Sequence, residues 1–275
     1  MLRYLRIIVV VLFVLLLVGA GGLYYYNYTH EDISRPAFSM DTDHVEVSVL
    51  DERSAFCRGL MAYDNLDGDI TDRILVQSIS QFNEDKSFTV RYIVFDNASN
   101  YATCERTASY TDYTPPRFSL SRPMVFRVGD TVSFLDRIKA EDCIDGDITD
   151  KMILAESNVS TSVPGTYRVR ITVTNKMGDT RELPLTIQIQ NPTPATPSVK
   201  LSENLIYIQA GERPALRSYV DSVNDPLVEE VVSVRKVKIN DDALDVNTPG
   251  VYDVNYYYTG DSGETATAIL TVVVE

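Results

Sequence analysis

The chain has 275 residues, of which 44% are hydrophobic and 23% charged, with a net charge of −14. That composition speaks against disorder, and the acidity speaks against a surface that attracts phosphate backbones, so no nucleic-acid partner is expected. The charge is unevenly placed: Arg3 and Arg6 are the only charged residues before Glu31, and all 39 acidic residues follow them.

Every residue from Ile7 to Val18 is strongly apolar, and an uncharged stretch then continues through Gly19, Ala20, Gly21, Gly22 and Leu23 to Tyr24, Tyr25, Tyr26 and Tyr28. Crossing the hydrocarbon core takes about 20 apolar residues, so 7–26 reads as a transmembrane signal-anchor. Residues 1–6 form the basic segment before it, held in the cytoplasm by the positive-inside rule, and the tyrosines stand where an outer aromatic belt belongs. A cleaved signal peptide is the competing reading, with the small residues near Gly19–Gly22 as the cleavage region. Either way the rest of the chain is expected outside the cell membrane. The last residues, to Glu275, read as a strand, so no C-terminal sorting tail is expected.

Beyond the anchor the sequence repeats itself. Asp67-Gly68-Asp69-Ile70-Thr71-Asp72 returns as Asp145-Gly146-Asp147-Ile148-Thr149-Asp150, and Pro164-Gly165-Thr166-Tyr167 as Pro249-Gly250-Val251-Tyr252. Three units of roughly 80 residues result, each of small-domain size. They are module 1 (35–112), module 2 (115–191) and module 3 (198–275), with a Pro-rich linker at 192–197. Within each, hydrophobic residues alternate: Phe88, Val90, Tyr92, Val94; Tyr167, Val169, Ile171, Val173; Tyr252, Val254, Tyr256, Tyr258. A period of two marks strands with one buried and one wet face. The Pro-Gly pairs suggest type II turns with positive φ at glycine. The fold class expected is all-β: tandem immunoglobulin-like β-sandwiches following one N-terminal transmembrane helix, with extended linkers that make a rod.

The pattern Ala-x-Asp-x-x-Asp-Gly-Asp-Ile-Thr, followed by Pro-Gly-x-Tyr-x-Val and by turns such as Asp96-Asn97-Ala98-Ser99-Asn100, resembles the immunoglobulin-like domain family first defined in pesticidal crystal proteins. Modules 1 and 2 fit it well. Module 1 has Asp85-Lys86-Ser87 in place of Pro-Gly, and module 3 reduces the acidic motif to Asp221…Asn224-Asp225-Pro226-Leu227. The resemblance implies a β-sandwich in a Gram-positive cell-surface setting and no particular activity.

The aspartates carry the chemistry worth testing. Asp64, Asp67 and Asp69 in module 1, and Asp142, Asp145 and Asp147 in module 2, are candidate Ca²⁺ ligands, because hard cations take clustered oxygens. The EF-hand spacing is not met: its first position would be Tyr63, and in module 2 its third would be Cys143. The alternative is that these side chains cap turns by accepting backbone N–H groups. Paired carboxylates without a cleft do not suggest a glycosidase. Neither His30 nor His44 lies in a nucleophile motif, so no enzyme activity and no cofactor are expected. Cys57 and Cys104 fall on core positions of one module and are either a disulfide or two buried thiols, with Cys143 left over. Tyr257, Tyr207 and Tyr219 are candidates for a binding surface. The expectation is a membrane-anchored, non-catalytic spacer or adhesion module with a surface protein or glycan as partner. A carbohydrate-binding accessory of the envelope is the alternative.

Overall fold

The computed structural model describes residues 2–29, 32–131 and 133–275. His30, expected at the membrane exit, lies outside the described residues. Leu2–Thr29 form one helix. Its stretch Arg3–Tyr26 has a mean hydropathy of 2.8 and no buried residue. At ~1.5 Å per residue this stretch exceeds the ~30 Å of a bilayer's hydrocarbon core. Length and composition therefore suffice to cross a membrane, a test that a signal sequence also passes.

The remainder is β-structure with short 3-10 turns. In the first repeat, Leu60–Asp64 pairs with Ala37–Met40 and with Gly68–Asp69. A second sheet orders His44–Val47, Tyr101–Tyr110, Phe88–Phe95 and Leu75–Ile79, the first pair parallel and the others antiparallel. The second repeat copies both sheets. Ile138–Asp142 lies between Gly146–Asp147 and Arg117–Leu120, and the other sheet runs Ile153–Ser157, Gly165–Thr174, Thr180–Gln190, Val125–Arg127. Even the irregularity is copied, between Val76 and Ser78 and between Leu154 and Glu156. The third repeat keeps the four-stranded sheet (Leu205–Ile208, Thr265–Val274, Gly250–Thr259, Lys238–Asn240) and reduces the other to Ser198–Leu201 with Val220–Asn224.

Alternation decides which side chains are inside. Phe88, Val90, Tyr92 and Val94 are each 0% exposed. In the second repeat Phe118, Ile138 and Ala140 of one sheet join Val169, Ile171, Val173, Leu183 and Leu185 of the other in one core, so the sheets face each other across it. This is consistent with β-sandwiches. The isoleucine of the Asp-Gly-Asp-Ile-Thr motif is a core plug, since Ile70 and Ile148 are fully buried.

Three expectations need correction. Gly165 and Gly250 do not adopt positive φ; within the acidic motif Gly68 (φ 74) and Gly146 (φ 71) do. Gly165 and Gly250 instead begin strands, with the rings of Tyr167 and Tyr252 lying over them. Those tyrosine hydroxyls donate back to the carbonyls of Val163 and Thr248, both at 2.9 Å. A Cβ on Gly250 would stand 3.2 Å from the Tyr252 hydroxyl, so the glycine is there for close approach.

The linker is not an extended spacer either. Pro194 takes the first central place of a tight turn, which its fixed φ favours, and Thr196 N–H donates to the Thr193 carbonyl at 3.1 Å. Glu264 of the third repeat then accepts from both threonine hydroxyls.

Tyr207, third, is not a free surface. Its hydroxyl accepts the Phe118 N–H at 2.7 Å, and the Arg117 guanidinium lies 4.9 Å above its ring. Leu205 is buried in the second repeat's core, Arg117 pairs with Glu275, and Thr186 donates to Asp253. Residues 112–275 accordingly pack as one compact unit, and 1–111 as another.

If Ile148 is a core plug, Ile148→Ala should cost about 2–5 kcal/mol in urea unfolding, whereas truncating exposed Val231 should stay within about 0.5 kcal/mol. Equal effects would refute the assignment.

Candidate functional site

The acidic motif is built by short-range capping. Asp64 Oδ1 accepts the N–H groups of Leu66 and Asp67 at 2.9 and 3.0 Å. Asp142 Oδ1 does the same for Ile144 and Asp145, both at 2.9 Å. Asp69 and Asp147 cap the next turn through Thr71 N–H and Thr149 N–H. The threonine hydroxyls in turn accept from Ala62 and Ala140 N–H.

Asp67 and Asp145 reach further, to the turn that joins the two long strands of each repeat. Asp67 accepts both the backbone N–H and the side-chain amide of Asn97, at 2.6 and 2.5 Å. Asp145 accepts Lys176 N–H at 2.9 Å and pairs with Lys151 at 2.8 Å and Lys176 at 3.1 Å. Burial pushes the Asp145 carboxyl up, but the two lysines outweigh it and hold it below the usual carboxylate range. Asp69 and Asp147 are held low by the Thr71 and Thr149 hydroxyls and N–H groups. The six aspartates proposed as Ca²⁺ ligands therefore do not form two ligand sets. In five, every buried carboxylate oxygen has a protein donor or an ion-pair partner, Asp145 Oδ1 through Lys176 at 3.1 Å.

The exception is Asp64. Three aspartates occupy the same buried place in the three repeats, Asp64 (1% exposed), Asp142 (5%) and Asp225 (3%). Opposite each stands the first residue of an equivalent turn, closed by Asp96 N–H to Asn100 O, Asn175 N–H to Asp179 O, and Gly260 N–H to Glu264 O, at 3.0, 3.0 and 2.9 Å. Asp142 Oδ2 accepts the Asn175 amide at 2.9 Å. Asp225 Oδ2 accepts the Tyr258 hydroxyl at 3.2 Å and Asp261 N–H at 3.1 Å. Asp64 Oδ2 is buried and has no hydrogen-bond partner among the described residues. The N–H groups of Asp67 and Leu66 on its other oxygen hold its carboxyl below the usual range.

What faces Asp64 is two more carboxyl groups. One oxygen each of Asp32, Asp64 and Asp96 lie within 4.8 Å of one another. Asp96 is held by Asn100, whose N–H and side-chain amide donate to its two oxygens, both at 2.8 Å. The same amide donates to the Asp32 carbonyl at 2.9 Å, and Asp32 Oδ1 accepts Ser34 N–H at 3.0 Å. No lysine, arginine or histidine among the described residues pairs with any of the three. Sequence reading missed Asp32 and Asp96. The available signal was the mismatch at one turn position: Asp96, Asn175 and Gly260.

Cys57, Cys104 and Cys143 are all free, so the possible Cys57–Cys104 disulfide is not formed. Burial pushes both thiols up, more strongly than the nearby Arg106 lowers them. Arg106 itself sits in the core at 3% exposure, where the second repeat has Leu185, and donates to the carbonyls of Phe56 and Arg58 at 2.9 and 2.8 Å. The tyrosines do not converge. Tyr219 packs on the third core, and half-buried Tyr257 pairs across strands with Thr267 and Lys238. His44 Nε2 lies 2.9 Å from the Ser109 hydroxyl.

No protein-family model matches the chain. Over 221 residues, 78% of its length, the chain is 26% identical to pesticidal crystal protein Cry22Aa of Bacillus thuringiensis, and it spans only 29% of that protein. Among solved structures, the CBM51-2 and INT domains of Clostridium perfringens ZmpB share 26% identity over 25% of this chain and 15% of that one, with a TM-score of 0.23. Lipoprotein BT2262 of Bacteroides thetaiotaomicron shares 14% over 58% and 80%, at 0.27. Drosophila N-cadherin EC1-3 shares 12% over 85% and 98%, at 0.31. Scores this low carry no functional argument.

Two outcomes are expected. Alkylation of the native protein without reductant should modify Cys143 first and all three cysteines after unfolding; a mass two hydrogens short, with Cys57 and Cys104 blocked, would contradict free thiols. Carboxyls held low, as at Asp69, Asp85 and Asp147, contribute stability above the ordinary aspartate pKa of about 3.9, and that contribution is lost as pH falls through their lower folded values. Urea midpoints should thus hold level from neutral pH down to about 4 and drop below it; a steady decline beginning near pH 6 would contradict this.

Proposed function

We propose that this chain is a membrane-anchored bacterial cell-surface protein, a non-catalytic series of immunoglobulin-like modules acting as spacer or interaction module. The observation that carries the reading is the use of the acidic motif. Its aspartates and threonine, the residues best suited to chemistry, cap turns and latch a hairpin, and its isoleucine fills the core. Supporting it are the span-length helix ahead of the repeats and the match to a pesticidal crystal protein. In this reading the helix is a retained signal-anchor, Arg3 and Arg6 stay in the cytoplasm, and the acidic β-repeats lie outside.

A second reading, a carbohydrate-binding accessory, rests on Tyr257, whose ring is on the non-core side of its strand. Aromatic faces stack on sugars, but neither Tyr207 nor Tyr219 joins it. On a glycan array the full chain should give no signal that Tyr257→Ala abolishes; such a signal would favour this reading over the first.

Orientation has a built-in probe, because Cys143 is exposed. A membrane-impermeant maleimide should label intact cells producing the full chain, and Cys143→Ser should remove that label. Labelling only after lysis would place the repeats inside and contradict the proposal.

A further inference from the structure

We propose that Asp32, Asp64 and Asp96 form a Ca²⁺ site that pins the segment following the helix to the first β-repeat. The inference goes beyond the surface-module reading and does not depend on it. It starts from a problem that the repeats solve in three ways. Each buries an aspartate whose first oxygen caps the loop. Its second oxygen receives an amide in the second repeat, and a hydroxyl plus an N–H in the third. In the first repeat it receives no protein donor. The turn residue that supplies the amide in the second repeat, Asn175, is here Asp96, a further acceptor.

A buried carboxyl oxygen without a donor, facing two more carboxyl groups, is unfavourable twice over, through lost solvation and the crowding of like groups. A bridging water offers protons but brings no positive charge to three facing carboxyl groups. A divalent cation answers both. The donors are all oxygens, which selects hard cations, and Ca²⁺ binds oxygen at 2.3–2.6 Å. Oxygens within 4.8 Å of one another can surround one such ion, since two ligands on opposite sides of Ca²⁺ stand about 4.6–5.2 Å apart. Mg²⁺, which demands near-ideal octahedral geometry at about 2.0–2.1 Å and dehydrates reluctantly, suits three carboxyls from separate segments less well. Asp64 is fixed by Leu66 and Asp67, and Asp96 by Asn100, so two ligands are held in place beforehand. Asp32 comes from the stretch between helix and first strand, tied on by Asn100 at its carbonyl.

The test is calorimetric titration of the full chain in detergent micelles with CaCl₂, beside thermal unfolding in CaCl₂ and in EDTA. One saturable site is expected, with Kd about 10⁻⁴–10⁻³ M as in extracellular modules, and a higher melting temperature in calcium. Asp96→Asn copies the second repeat: it should weaken binding at least about tenfold, a loss of about 1.4 kcal/mol, and make melting insensitive to EDTA. Should that variant misfold by circular dichroism, Asp32→Asn, outside both sheets, should show the same loss. Asp72→Asn, an exposed acid of the same loop, should bind like wild type. The proposal is overturned by no saturable heat up to about ten times that Kd range. It is equally overturned if the folded Asp96 and Asp32 variants bind as tightly as wild type, or if Asp72→Asn weakens binding as much as they do.

Discussion

Each repeat depends on a carboxylate buried beneath its acidic loop. Asp64, Asp142 and Asp225 hold their loops by accepting N–H groups that the strands leave over, and a buried acceptor of this kind is costly unless its other oxygen is also matched. The loop therefore cannot be arranged independently of the turn facing it. Asp67 and Asp145 strengthen that dependence by binding the backbone of the same turn. Ile70 and Ile148, two residues past the glycine of the loop so held, are fully buried in the core. A motif that looks like a reactive cluster is thus the clasp that closes the two sheets.

The same clasp is completed differently in each copy. Where the opposing residue is neutral, as at Asn175, the protein supplies its own hydrogen bond. In the third repeat Gly260 removes the side chain, and a Cβ there would come within 2.5 Å of Asp225, so Tyr258 reaches the carboxylate instead. The first repeat opposes carboxylate with carboxylate, next to the segment that leaves the helix. The copies differ in their surroundings as well. Residues 112–275 form one compact unit in which Leu205, Tyr207 and Glu275 of the third repeat engage the second.

Local periodicity was readable from the sequence and long-range partners were not. The run Phe88, Val90, Tyr92, Val94 states its own burial, because a strand alternates faces whatever it packs against. The Asp-Gly-Asp-Ile-Thr repeat announced a recurring turn. Asp32, Asp64 and Asp96, by contrast, meet only once two sheets are assembled, and no spacing rule links positions so far apart. Pro-Gly-x-Tyr was misread because a dipeptide suggests turn chemistry, whereas the following tyrosine explains the glycine through close approach. The proline-rich linker folded into a turn because Glu264, on a distant hairpin, accepts from Thr193 and Thr196. Tyr207 lost its exposure to a neighbour that alternation within its own strand cannot reveal.

The central claim, that a buried carboxylate clasps each loop and that the first clasp is completed by a cation, is most directly tested by residue-resolved amide hydrogen exchange of the full chain with calcium and with EDTA. The N–H groups of Ile144, Asp145 and Leu227 should be protected in both conditions. Those of Leu66 and Asp67 should be protected in calcium and exchange faster in EDTA. Uniformly fast exchange at all five, or no difference between the first repeat and the others, would contradict the account.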